Sequence, residues 1–562
     1  MKPEKMNIHQ QATFHYLQEI KRYCLQNIDI KQFPNKKEYK QLAKILNKVS
    51  KISSDFNKEF NYADLYFKYH NAIEKVADLE LNSRERKTAT YLDGLFIRTF
   101  ENQNKIHDFL FDNVINEGEI ESKNNLQKNL IKKTDGLSKK DIRHPDNPLN
   151  AFFASMLGGF GYNPLKRNNV PYLPFSENRL PTHRTCLRIG AQTRDSGYVN
   201  STFQRYLLAN ARNRVDVAPQ NPQGQYDYVY ISLMKTEESR QDVKKEGIAK
   251  KLDQFVRNSE GTRAAALECI NLAKDYRAAV ITLPADGGFF LDGFSMKKGA
   301  AISNHKINMK DLANQLIESI KLDRNDFSMS KDVKKALFGE PFNERLIETL
   351  LKSAINEVIP DVKGKDLSDI NLTPEKRNAV LFQFVKWNLS NYILEVLNPR
   401  AYNMSCKDAI DRGGIHTLWY HMNLLAKHGT PLTKEEFFKF LDSPAMVVKY
   451  RALNDNRNLL VNVMKHRLDA DATFEAQHPW ARKWVEMNSP KQEVKPSVEL
   501  SKLKKMLNVE KAAPKEIISE QQLKQALTNI FNQQVQSCAK QQQKSFSYAD
   551  SANLRVPVMV RC

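Results

Sequence analysis

A short strand, a nine-residue loop and a helix follow one another between residues 399 and 428, and this unit constrains the chain most. The loop runs Cys406-Lys407-Asp408-Ala409-Ile410-Asp411-Arg412-Gly413-Gly414. Residues Pro399 to Ser405 read as the strand that feeds it. Behind it, Ile415 to His428 has Ile415, Leu418, Trp419, Met422 and Leu425 on one face, the spacing of an amphipathic helix. Backbone N–H groups of such a loop can turn inward and cradle an oxyanion, and the helix N-terminus adds favourable partial charge. That field, with Arg412, favours a thiolate at Cys406. The planar guanidinium of Arg412 can hold two phosphate oxygens at once.

The Cys-x5-Arg spacing before a helix resembles the phosphate loop of cysteine-dependent phosphatases. The finer pattern Cys406-x-Asp408-x-Ile410-Asp411-Arg412 is similar to that of the myotubularin and Sac phosphoinositide phosphatases. Lys407 after the cysteine resembles the loops of secreted bacterial phosphoinositide phosphatases and inositol-polyphosphate 4-phosphatases. The likeness covers about nine residues directly. It departs at Gly413, where those families carry a Ser or Thr hydroxyl that helps the thiolate leave.

The resemblance implies an α/β catalytic domain of cysteine-phosphatase type, flanked by large helical N-terminal and C-terminal regions. It implies a phosphoric monoester hydrolase that works through a phosphocysteine on Cys406, with Arg412 as the charge clamp. Asp411 matches the position of a proposed proton donor in the myotubularin-like pattern. Lys407, Asp408, Ala409, Ile410, Gly413 and Gly414 complete the phosphate cradle. The substrate class it implies is a phosphoinositide with one or two ring phosphates, the 3-position favoured. A protein phosphatase, an inositol-polyphosphate phosphatase and a non-turnover headgroup-binding module are the alternatives.

The remaining sequence divides by character. Residues 1–115 show apolar residues at three-and-four spacing over Ile8–Cys24, Lys37–Ile52 and Tyr62–Leu79, a helical region whose Tyr and Phe residues suit a core. Residues 116–149 are charged and polar and read as a linker. The catalytic domain is expected over 150–470. There Arg184–Gly190, Tyr226–Met234 and Ala278–Leu283 read as strands alternating with helices, which points to an α/β layer. The third strand runs into Pro284-Ala285-Asp286-Gly287-Gly288. An acid before two glycines at a strand end suits either a tight turn or a loop carrying a second acid candidate, Asp286. Residues 471–562 read as a helical, Gln-rich region with a disordered tail. Trp480 and Trp484 in it suit docking onto the catalytic domain better than a membrane anchor.

With 86 Lys and Arg against 65 Asp and Glu in 562 residues, the formal charge is +21. Such a surface suits a polyanion, and anionic membrane headgroups fit it as partners. No nucleic-acid-binding motif accompanies the charge, so no nucleic acid is expected. Six cysteines scattered without close pairs argue against a disulfide scaffold or zinc site and suit a reducing compartment. His416 and His421 lack ligand partners at metal spacing, so neither metal nor cofactor is expected. No membrane-spanning run or signal peptide is seen, which leaves a soluble chain with peripheral membrane contact. Plentiful Lys, Asn and Gln, taken with the motif, suggest a bacterial effector delivered into a host cell, its helical flanks meeting host proteins.

Overall fold

The computed structural model describes residues 7–82, 90–101, 172–176, 180, 184–193, 198–212, 225–236, 260–285, 289–290, 307–407, 409–441 and 456–489. The chain opens with four helices: α1 (Asn7–Asn27), α2 (Lys37–Ser50), α3 (Tyr62–Asn82) and α4 (Asp93–Glu101). Strands β1 (Tyr172–Ser176) and β2 (Thr185–Arg188) follow, then helix α5 (Ser201–Arg212) and strands β3 (Tyr228–Ser232) and β4 (Ala278–Thr282). Two-residue β5 (Ile307–Asn308) leads into α6 (Met309–Lys321), β6 (Ser328–Met329), α7 (Lys331–Phe338), α8 (Glu344–Val358) and β7 (Asn371–Leu372). A long helical run then joins α9 (Pro374–Gln383), a π-helical stretch (Phe384–Leu389) and α10 (Ser390–Leu397). It is followed by β8 (Ala401–Ser405), α11 (Arg412–Lys427), α12 (Lys434–Leu441), α13 (Asn456–Ala470), α14 (Ala472–Gln477) and α15 (Ala481–Asn488).

The main sheet has the order β1-β2-β8-β3-β4-β6. Its inner strands β2, β8, β3 and β4 run parallel, and β1 and β6 close the two edges antiparallel. The last of the four parallel strands to be made, β8, is thus inserted between the first two. Residues on β3, β4 and β8 are buried throughout. That is the signature of a sheet covered on both faces.

Side chains alternate between those faces, as pleating requires. Tyr228, Tyr230, Ala278, Val280 and Ala401 point into one core, which they share with α1 to α5. Val229, Ile231, Ala279, Ile281, Tyr402 and Met404 point into the other, built from α6 onward. The N-terminal helices therefore form one cover of the sheet and share its core. Their aromatic residues Tyr16, Tyr66 and Tyr69 are fully buried. A buried ion cluster fixes this cover. Arg205 on α5 pairs with Glu80 on α3 and, at 2.7 Å, with Asp93 on α4. Charges so enclosed persist only when paired.

The second cover continues to residue 489. Phe474, Ala481, Trp484 and Val485 lie in the same core as β8, and Phe437 packs 4.9 Å from the Trp484 ring. The expected boundary at 470 thus falls inside one compact unit, and Trp484 docks rather than anchors. The expected linker 116–149 and the Gln-rich segment lie outside the described residues. No helix among the described residues is long and apolar enough to cross a membrane.

The helical run before β8 has identifiable punctuation. Thr373 caps α9 by accepting from the Lys376 N–H, and Pro374 occupies its first turn. The run ends at Asn398, in the left-handed conformation with φ +39°, its N–H donating to the Leu394 carbonyl. The Arg400 N–H then bonds to the Asp227 carbonyl and sets the register of β8 beside β3.

Candidate functional site

Cys406 is the first residue after β8, and Arg412 is the first residue of α11. The loop between them therefore leaves the carboxyl end of a strand flanked on both sides by parallel neighbours. In open α/β sheets this is where ligands are received. The strand, loop and helix expected from the sequence all form, with the helix starting three residues earlier than its apolar pattern begins.

Several carbonyls of the loop and its approach are engaged by hydrogen bonds. The Ser405 carbonyl accepts from the Leu233 N–H at 2.9 Å and the Lys407 carbonyl from the Ala191 N–H at 2.9 Å. The Cys406 carbonyl accepts from the Ala409 N–H at 3.3 Å. Arg188 at the end of β2 supplies the rest. Its Nε donates to the Ala409 carbonyl at 2.7 Å and its Nη2 to the Ile410 carbonyl at 3.0 Å. Its Nη1 donates to the Phe440 carbonyl on α12. Arg188 is fully buried and donates to all three of these carbonyls. The N–H groups of Ala409, Gly414 and Ile415 are themselves engaged, by the carbonyls of Cys406, Ile410 and Asp411. Ala409 takes a left-handed φ of +54°.

Both glycines sit at close approaches. A Cβ on Gly413 would lie 3.1 Å from the Met404 carbonyl oxygen and 3.3 Å from the Ser405 Cα. A Cβ on Gly414 would collide with the Arg188 guanidinium. The missing hydroxyl at 413 thus has a packing cause: the start of α11 lies directly on β8.

Arg412 is held by a carboxylate. Its guanidinium makes a two-nitrogen pair with Glu260, Nη1 to Oε2 at 3.3 Å and Nη2 to Oε1. Glu260 begins the described helical residues 260–268 before β4. The pair is mostly enclosed, with Arg412 side-chain exposure of 16% and Glu260 of 13%. Glu260 fixes the orientation of the fork. Asp411 stands at the N-cap of α11 with φ −79° and ψ −76°, and its carboxylate does not cap the helix. It is half-buried, as is Lys407. Asp408 and Asp286 lie outside the described residues. Both flanks of the Asp286 segment are in the core, Ala285 on one side and Phe290 on the other.

Below the loop lies Lys386, in the π-helical stretch. It is buried, its Nζ has no hydrogen-bond partner, and that atom sits 5.1 Å from the ring centroids of both Phe290 and Phe382. Burial first, then the neighbouring Arg412 charge, push its ammonium down to about 7, while Cys406 pulls it back up. His416, one turn into α11, is held well below the ordinary imidazole range by burial and by Lys386. Its Nε2 meets the Ser390 hydroxyl at 2.8 Å. Behind Cys406, Ser405 Oγ donates to the Tyr230 hydroxyl at 3.1 Å and accepts from Asn403 Nδ2. Burial raises the Tyr230 phenol to about 12, so it stays protonated in that chain.

Glu260, Arg188 and Lys386 were not singled out from the sequence. Two of them left a trace there: Arg188 sits inside a buried strand and Lys386 inside the apolar run Ala379–Trp387. Glu260 left none. No group of His, Cys, Asp and Glu side chains among the described residues could hold a metal ion. No protein-family model matches the chain, and no curated protein or solved structure matches it.

Proposed function

We propose that the chain is a cysteine-dependent phosphatase acting on phosphoinositides through a phosphocysteine intermediate. The observation that carries this reading is the placement of Cys406 and Arg412 at the two ends of one loop whose carbonyls are tied back by Arg188. The Cys406 thiolate attacks phosphorus in line, and the electron pair of the P–O bond leaves with the inositol oxygen. Asp411 protonates that oxygen, with Asp286 as the second candidate. Loop N–H groups and Arg412 hold the equatorial oxygens as their charge redistributes. Water then cleaves the S–P bond, releasing phosphate and restoring the thiolate.

The lipid substrate class rests on the likeness of the loop to phosphoinositide phosphatases and on the basic chain, whose formal charge of +21 favours anionic surfaces. The partners in this reading are phosphoinositide headgroups at such a surface. Delivery into a host cell and contacts with host proteins belong to the same proposal. The test is one preparation offered three substrate classes: phosphoinositides in vesicles, soluble inositol phosphates and phosphopeptides. Phosphate release from mono- and bisphosphorylated lipids, fastest at the 3-position, supports the reading. Release from peptides or soluble inositol phosphates alone overturns the lipid assignment.

A further inference from the structure

Beneath the loop, a line of buried polar groups runs along β3 and β8 toward Cys406, on the face that these strands share with α1 to α5. The Tyr228 hydroxyl donates to Asn403 Oδ1 at 2.7 Å, and Asn403 Nδ2 donates to Ser405 Oγ at 2.6 Å. The Ser405 hydroxyl donates to Tyr230 Oη at 3.1 Å, and the Tyr230 hydroxyl to the Gly190 carbonyl at 3.4 Å. All four side chains are at most 1% exposed. A carbonyl only accepts, so each hydrogen in the line is committed in one direction, toward Gly190. Buried polar groups cost stability unless each is paired, and a fully paired line holds one geometry.

The line reaches the chain on both sides of Cys406. Ser405 precedes it directly. Gly190 and Ala191 share one peptide plane, and the N–H of that plane donates to the Lys407 carbonyl at 2.9 Å, one residue beyond Cys406. The plane is rigid, so a hydrogen bond at its carbonyl helps to aim its N–H. Tyr230 thus meets the residue before the sulfur through a side chain and the residue after it through one peptide. Phe203 on α5 packs edge-on against the Tyr230 ring at 5.9 Å. Gln192 Nε2 also donates to the Gly190 carbonyl, at 3.0 Å, so that oxygen keeps a donor when the Tyr230 hydroxyl is removed.

We propose that Tyr230 is a positioning residue for Cys406: its hydroxyl locks the two backbone approaches of the loop to each other and so fixes where the sulfur stands. The purpose of the lock rests on the phosphatase reading, but the lock itself can be measured without turnover. Tyr228 supplies the comparison. It is an equally buried tyrosine on the same strand and face, and its hydroxyl bonds at the far end of the line, to Asn403.

The experiment is hydrogen–deuterium exchange of the full chain read by peptide mass spectrometry, with turnover of para-nitrophenyl phosphate on the same preparations. It compares wild type, Tyr230→Phe, Ser405→Ala, the double variant and Tyr228→Phe. Phenylalanine keeps each ring in place, so both Tyr variants are expected to fold, with thermal melting as the check. Tyr230→Phe should speed exchange by about tenfold in the peptides carrying the Ala191 and Leu233 N–H groups, which hold the Lys407 and Ser405 carbonyls, and leave α1 to α4 at the wild-type rate. Its kcat should fall by about tenfold with KM little changed, because a small misplacement of a reacting atom is felt in the chemical step. Ser405→Ala should do the same, and the double variant should add nothing, since both changes cut one link. Tyr228→Phe should leave these peptides and kcat as in the wild type. Unchanged exchange at Ala191 and Leu233 in Tyr230→Phe would overturn the proposal. So would a rise spread over all peptides, equal effects of the two Tyr variants, or local opening with an unchanged kcat. A wild type that releases no phosphate from any substrate defeats the phosphatase reading alone, and the exchange pattern still decides the lock.

Discussion

Arg188 occupies the space beside Gly414 where a side chain would begin, and from there donates to the carbonyls of Ala409 and Ile410. Residues far apart in sequence are thus mutually dependent: the glycine admits the guanidinium, and the guanidinium shapes the loop. Arg188→Met should remove donors from three buried carbonyls, those of Ala409, Ile410 and Phe440. The Ile410 carbonyl keeps the Gly414 N–H, so at about 1–3 kcal/mol for each of the other two, a loss of about 2 kcal/mol or more in urea unfolding is expected. Gly414→Ala should reproduce part of it by displacing the same guanidinium. Unchanged midpoints in both variants would contradict this role.

Arg412 and Glu260 make the second paired feature of the site. Arg412→Lys keeps a charge but cannot make the fork, and should slow turnover by about tenfold or more, on the order of 1.4 kcal/mol. Glu260→Gln leaves the guanidinium in place and loosens its orientation, so a smaller fall in the rate is expected, without loss of the fold. Steady-state phosphate release measures both. Wild-type rates in Arg412→Lys would remove that residue from the chemistry.

In the proposed mechanism Asp411 is the proton donor. Asp411→Asn should slow lipid hydrolysis severely and spare an aryl phosphate, whose leaving group is already a weak base. Asp286→Asn in parallel separates the two candidates. Equal losses on both substrates would mean that Asp411 shapes the start of α11 instead.

Much of this site could be read before any coordinates, for a physical reason. A strand, an anion loop and a helix start are local, so spacing and residue type record them; β8, Cys406 and the first turn of α11 all follow from one short stretch. The strands at β2, β3 and β4 were legible for the same reason, through dense β-branched and aromatic residues. What joins the loop to distant chain was not legible. Nothing near Glu260 in sequence announces Arg412, and nothing in the periodicity of the first hundred residues says that they cover a sheet face. Gly413 is the instructive case. Read against a family pattern it looks like a missing hydroxyl, but the structure gives it a steric cause in the Met404 carbonyl.

The N-terminal cover carries its own pH dependence. His70 on α3 is buried, stacked 5.6 Å from Tyr16, and burial lowers its imidazole to about 3. The ordinary value is 6.5, so the unfolded chain binds more protons between those limits, and stability falls as the pH drops from 6.5 toward 3. His416 adds in the same direction. His70→Gln should flatten this acid limb by a loss on the order of a few kcal/mol in its total span. Denaturant midpoints across that range check it, and parallel curves for variant and wild type would count against the assignment.

The central claim is covalent catalysis at Cys406, and the most direct measurement is phosphate release from a phosphoinositide panel by wild type and Cys406→Ser, with headgroup binding recorded on the same vesicles. Serine keeps the loop N–H groups and Arg412 but stays protonated and unreactive. The account predicts release by the wild type, none above background by the variant, and headgroup binding by both. Release by Cys406→Ser at a substantial fraction of the wild-type rate, or binding without release by the wild type, would contradict it.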